Sequence, residues 1–304
     1  MKETALNIRK INSIKELHSF LGLPGPLNPL LTIIDHSQTQ NNKQHTHQKL
    51  LLDFYNISIK RSFKGKLKYG KNVYDFDDGT MSFIAPNQII SVDRKEERNI
   101  DGWSLLFHPD LIRQYPLGKA IKNYGYFSYT VNEALHLSDE EDKTIEVIIE
   151  NIQREIDSRL DNFSQEVIVS NLELLLSYCN RFYSRQFITR KMATNDLLSN
   201  FENSLDKYFT FNSDLPIPTV EKLATELNVS SSYLSDMLRN LTGQNTQQHI
   251  HEKLIEKAKE ILTTTNFTVS EIAYQLGFEY PQSFSKLFKS KTSMTPLEYK
   301  SSFN

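Results

Sequence analysis

The chain of 304 residues holds one cysteine, Cys179. A lone thiol excludes a disulfide framework and a cysteine-based zinc site. Long apolar runs are missing too. The longest, such as Leu30–Ile34 and Leu50–Leu52, fall far short of the roughly 18 residues that cross a bilayer. A charged-then-apolar leader is also missing, because Lys2, Glu3, Arg9 and Lys10 interrupt the first stretch. These absences predict a cytoplasmic protein with no membrane partner. Charge of one sign is scarce: 35 basic residues face 37 acidic ones, so no global field announces a nucleic acid. What is present, 38% hydrophobic and 24% charged residues, suits about two domains with real cores.

The first part of the chain reads as strands. After a short amphipathic segment (Ile11, Ile14, Leu17, Phe20, Leu21) and an extended loop with Pro24, Gly25, Pro26 and Pro29, the text becomes β-branched and aromatic. Predicted strands are Leu31–Asp35, Leu51–Lys60, Lys66–Tyr69, Val73–Phe76, Thr80–Ile84, Ile89–Val92 and Trp103–Phe107. Short strands at this spacing predict a small antiparallel barrel or sandwich. A barrel interior could hold a small effector. Phe54, Tyr69, Phe76, Phe83 and Trp103 are the candidate lining residues, set against the favoured reading that they fill the barrel as plain core.

From Ser138 the apolar period becomes helical. Ser138 and Glu141 form a capping-box pattern, and Ile145, Ile148, Ile149, Ile152 and Ile156 continue one face. Val167, Ile168, Leu172, Leu175, Leu176 and Phe182 mark a second helix. Either helix stripe could brace the barrel or form a dimer interface. Polar Arg185–Thr194 reads as a linker, and Asp196–Phe211 as a further helix. The domains expected are 1–137, 138–195 and 196–304.

The last third repeats itself. Sliding by 49 positions puts Val220 on Val269, Ala224 on Ala273, Leu227 on Leu276 and Asn228 on Gly277. With one more residue, Leu234 falls on Phe284, Ser235 on Ser285, Met237 on Leu287, Arg239 on Lys289 and Thr242 on Thr292. Each copy spells a helix-turn-helix: a small alanine where helices cross, then a residue that tolerates positive φ in the turn. Ser230 and Ser231 offer N-caps, and Pro281 suits a first helical turn. Thr246–Leu262 reads as one helix between the copies. Two reading heads on one chain are implied, although residues 196–304 carry 13 acids against ten bases. The stretch 281–304 is locally positive, with Lys286, Lys289, Lys291 and Lys300 against Glu298.

Residues 219–302 resemble the DNA-binding domain of the AraC/XylS family of bacterial transcription regulators. The resemblance rests on Leu223-Ala224, Ser232–Ser235, Leu241–Gly243, Ile272-Ala273, Leu276–Phe278, Gln282–Lys289 and Met294–Tyr299. It implies DNA contacts from Ser232, Tyr233, Ser235, Asp236 and Arg239 in the first unit, and from Gln282, Ser283, Ser285, Lys286 and Lys289 in the second. Gln282 suits adenine, and the lysines suit guanine or phosphate. Two positions depart from the pattern. Asp236 stands where the family often has a base, so it could only accept, for instance from a cytosine amino group. Ser293 stands where Gly243 closes the first copy, so that helix end lacks its usual glycine. The second head is therefore expected to grip DNA harder than the first.

The resemblance also implies a cupin-like barrel ahead of the DNA-binding half, with two connecting helices between: an α+β chain. His45 and His47 have the spacing of a cupin metal pair, but no Glu follows nearby and no His follows Gly79. No metal site, catalytic group or cofactor is expected. The implied partners are double-stranded DNA, a possible small-molecule effector, RNA polymerase and a second copy of the chain. Two other readings stay open: a metal-dependent cupin enzyme with a DNA-binding tail, and a ligand-free barrel that only mediates protein contacts.

Overall fold

The computed structural model describes residues 8–38, 48–61, 67–69, 72–74, 79–92, 101–130, 133–159, 161–189, 191–209 and 216–303. The chain divides into two compact units, 1–186 and 187–304.

The first unit runs β1 (Ile8–Ile11), α1 (Ile14–Leu21), β2 (Leu31–Asp35), β3 (Gln48–Leu52), β4 (Tyr55–Arg61), β5 (Leu67–Tyr69), β6 (Asn72–Tyr74), β7 (Thr80–Ile84), β8 (Ile89–Val92) and β9 (Asp101–Phe107). Then come the short α2 (Pro109–Ile112) and α3 (Leu117–Ala120), the two-residue β10 (Leu135–His136), α4 (Asp139–Asp157) and α5 (Ser164–Thr189).

The expected barrel is not closed. Among the described residues the strands form three separate sheets, ordered β1-β3-β8, β10-β7-β4-β9-β2 and β5-β6. The predicted strand Leu51–Lys60 is interrupted at Asp53-Phe54, which sends β3 and β4 into different sheets. Nor is the unit wholly antiparallel, since β1 runs parallel to β3 with Ile11 opposite Leu52.

Alternation gives the five-stranded sheet two unlike faces. In register, Ile57 lies opposite Phe83 and Leu105, and Ile59 opposite Met81 and Trp103. This face packs under α4 and α5. The Trp103 indole N–H donates to Glu146 at 2.7 Å, and the Phe83 ring lies 4.6 Å from Tyr126 and 5.9 Å from Tyr183. On the other face Ile34 and Leu106 join α1 (Ile14, Leu17, Phe20) and Leu50, Leu52 and Phe54 in one apolar cluster. Further along that face Ser104 Oγ sits 2.8 Å from His36 Nε2 and 2.9 Å from Ser58 Oγ, and Ser58 donates to Asn56 at 2.8 Å.

Capping and ion pairs bolt the helices down. The Ser138–Glu141 capping box starts α4, and its five predicted isoleucines are buried. Arg61 of β4 forks onto Asp142 at 2.8 and 2.9 Å and also meets Glu146. Those two carboxylates hold its guanidinium charged, raising its pKa against the cost of burial. Arg185 donates to Glu141 and to the His136 carbonyl. The segment read as a linker, 185–194, is thus largely helical: Arg185 and Gln186 spend their donors on backbone and carboxylate, and α6 begins at Lys191. The stretch 138–186, read as part of a connector, belongs to the first unit.

The second unit is all-helical: α6 (Lys191–Phe209), α7 (Val220–Glu226), α8 (Ser231–Thr242), α9 (Thr246–Thr264), α10 (Val269–Gln275), α11 (Pro281–Thr292) and α12 (Pro296–Ser301). Its main core gathers Leu254, Ile255, Ala258, Ile261 and Leu262 of α9 against Ile272, Ala273, Phe284 and Phe288. No helix among the described residues is long and apolar enough to cross a membrane.

Candidate nucleic-acid interface

Each copy of the repeat folds as the spacing predicts. In the turns Asn228 takes φ 57° and Gly277 φ 79°. Ser230 caps α8, accepting from the Tyr233 N–H. Pro281 opens α11. Leu234, Met237 and Leu238 are buried on α8, as are Phe284 and Phe288 on α11. The 3.6-residue period then places Ser232, Asp236 and Arg239 along one outward line of α8, and Gln282, Lys286 and Lys289 along the matching line of α11.

The two lines differ in how their polar groups are occupied. On α8 the Arg239 guanidinium donates to Asp236 at 2.8 Å, one turn away. Ser235 Oγ lies 3.0 Å from Thr246 Oγ1, at the start of α9. The Tyr233 ring meets Phe187 edge-on at 5.2 Å. Four of the five residues expected to touch DNA in the first head are therefore engaged by its own scaffold or by each other. On α11, Gln282, Ser283, Lys286 and Lys289 are exposed and Ser285 is half-buried. The formal charge of the first line is zero, and that of the second is two positive.

Not every cation of the positive stretch is on offer. Lys300 donates to the carbonyls of Thr265 and Phe267, at 3.1 and 2.9 Å, and so ties α12 to the end of α9. Lys289 and Lys291 stay exposed in the last turn of α11, where they also complement the helix dipole. Ser293 itself takes the left-handed conformation, φ 65°, that Gly243 takes at φ 80°.

One part of the scaffold was missed from the sequence. Glu226, the last residue of α7, accepts from Ser204 and Tyr208 of α6, both at 2.5 Å. The two hydrogen bonds hold its carboxylate below the usual range, and the same bond pushes the Tyr208 hydroxyl up to about 12. This clip fixes α6 on the first head. Serine and tyrosine four apart on α6 were the only signal for it.

The residues proposed to line an effector site are not brought together. Phe54 is in the α1 cluster, while Phe83 and Trp103 point from the opposite face of the sheet toward the helices. Tyr69 lies on β5, and Phe76 is outside the described residues, as are His45 and His47. Among the described residues no group of three or more His, Cys, Asp or Glu could hold a metal ion. The buried Cys179 thiol is pushed well up by burial, which leaves it inert.

Two helix-turn-helix units, α7–α8 and α10–α11, are joined by the long helix α9. Residues 223–302 match the family described as helix-turn-helix domain. Over 79 residues the chain is 33% identical to histidine kinase P4 of Formosa agariphila, covering 26% of this chain and 6% of that protein. Over 137 residues it is 30% identical to an uncharacterized HTH-type transcriptional regulator of Staphylococcus aureus, covering 45% and 17%. The chain thus spans a small part of either relative. Among solved structures, the C-terminal domain of the two-component response regulator yesN from Fusobacterium nucleatum is 33% identical, over 36% of this chain and 97% of that domain, at a TM-score of 0.29. Residues 223–302 thus carry a helix-turn-helix domain of AraC type.

Proposed function

We propose that the chain is a sequence-specific DNA-binding transcription regulator, and not an enzyme, that lays α8 and α11 into successive major grooves on one face of the duplex. The observation that carries this is the repeat itself. Both units bury matching inner positions, Ala224 with Ala273, Leu234 with Phe284 and Leu238 with Phe288, on either side of one continuous helix. The nineteen residues of α9 span about 28 Å at roughly 1.5 Å each. With the flanking units added, the heads suit grooves about 34 Å apart. Selection from random DNA tests the reading. Two short motifs about one helical turn apart are expected, and recovery of no enriched sequence would sink it.

The first unit is the proposed regulatory part, cupin-like in kind. With Phe83 and Trp103 committed to the helix side, the polar row Asn56, Ser58, Ser104 and His36 is the better seat for a small effector. An effector would act by binding one DNA-competent arrangement better than another. Dimer formation is proposed through the outer face of α4 and α5, where Val147, Phe163, Val167 and Leu174 are exposed. Leu174→Asp should then yield monomers by sedimentation without lowering the melting temperature. An unchanged mass would remove α5 from the interface. RNA polymerase is the expected protein partner, in the cytoplasm.

A further inference from the structure

We propose that Asp236 is the specificity-determining residue of the first head, acting mainly by exclusion and by holding Arg239 back from the phosphates. The inference rests on the DNA-binding reading above. Asp236 lies on the outward line of α8 between Ser232 and Arg239. Its Oδ1 takes the Arg239 guanidinium at 2.8 Å. The pair is half open to solvent, with side chains 26% and 54% exposed, so it is cheap to exchange for another partner.

Two consequences follow for a helix entering the major groove. A carboxylate has only acceptors to offer, and so do guanine N7 and O6 and thymine O4. It is repelled by those edges and by phosphates, and is matched only where cytosine N4 or adenine N6 presents an amino group. Meanwhile Arg239, the one cation on this line, is neutralised until DNA offers the carboxylate such a group. On random sequence, both partners stay with each other and the head gains little. On the cognate base, Asp236 docks on the amino group and Arg239 is released to the duplex. The equivalent position of the second head is Lys286, which grips any sequence. The first head thus supplies discrimination where the second supplies adhesion.

The test is Asp236→Asn, which keeps the size of the side chain and can still cap nothing it did not cap before. Binding of the full chain is measured on its selected site and on a scrambled duplex across a salt series. The variant should bind scrambled DNA more tightly, with the salt slope steeper by about one phosphate contact. The ratio of specific to non-specific affinity should fall roughly fivefold or more, on the scale of one lost base contact. Reselected sites should lose a preference for cytosine at one position of one half-site, where asparagine would instead accept adenine. Adding Arg239→Ala to the variant should cancel the gain in slope. A ratio and slope equal to those of the unaltered chain, with an unchanged circular dichroism melt, would overturn the proposal while leaving the DNA-binding reading intact. Failure of the unaltered chain to select any site would overturn both.

Discussion

The two helix-turn-helix units share one fold and differ in which outward polar groups are engaged within the unit. In the first, Asp236 holds Arg239, Ser235 meets Thr246 and Tyr233 meets Phe187. In the second, Gln282, Ser283, Lys286 and Lys289 face solvent in a stretch where acids are few. The scaffold positions therefore match between the units, and the outward positions differ. The inner residues are constrained by packing in the core of the unit, and the outer ones are not. A tandem reader with one adhesive and one discriminating head can find DNA quickly and still reject most of it, because affinity and selectivity come from different residues.

The largest way to break this comparison is through the core of one head. Phe284 is fully buried between Phe278 and Phe288, with ring centroids 5.5 and 5.7 Å away. Phe284→Ala should cost about 3–5 kcal/mol by urea unfolding. A loss under about 1 kcal/mol would show that the second head does not depend on this aromatic stack.

A smaller effect sits at the two helix ends. Ser293 adopts the left-handed conformation where Gly243 adopts it at no steric cost. Ser293→Gly should stabilise the second head by up to about 1 kcal/mol, and Gly243→Ser should destabilise the first by a similar amount. Thermal melts of the two variants moving in the same direction would contradict the equivalence of the two caps.

The smallest effect depends on pH. His249, on α9, is held 2.8 Å from Thr242 Oγ1 at the end of α8 and edge-on to Phe201 of α6. Burial lowers its pKa from the ordinary value of 6.5, against the opposing pull of Glu252 and Glu202. The folded state thus releases the proton more readily than the unfolded chain. Stability is complete above pH 6.5 and falls as the pH drops from there through the folded value. His251 is lowered as well, by burial and by Lys291. His249→Gln should flatten part of the slope of melting temperature below pH 6.5 and leave the remainder. An unchanged slope would mean that His249 is not coupled to folding.

Most of the second unit could be read from the residues, because its signals are local. Ala224 and Ala273 mark the crossings, Asn228 and Gly277 the turns, and Pro281 a helix start. Each meets its physical requirement within one turn of the chain. The Ser138–Glu141 box was legible for the same reason. The first unit was harder, because its organisation is long-range. Nothing in Ile8–Ile11 announces a parallel partner some forty residues away at β3. Alternation shows that Phe83 and Trp103 share a face, yet it cannot say whether that face meets helices or a cavity. The Asp236–Arg239 pair has the spacing of a helical ion pair. The structure adds that it lies on the outward line of α8, part-open to solvent.

The central claim is that the heads are unequal. It is tested most directly by comparing Lys286→Ala with Lys289→Ala combined against Arg239→Ala alone, on the same selected duplex across a salt series. The unequal-heads account predicts that the double variant loses about tenfold or more in affinity at every sequence, with a salt slope lower by about two contacts. It predicts that Arg239→Ala loses less affinity, changes the slope by no more than one contact, and takes most of its loss on the selected site. Equal losses per residue and equal slopes for both heads would contradict it.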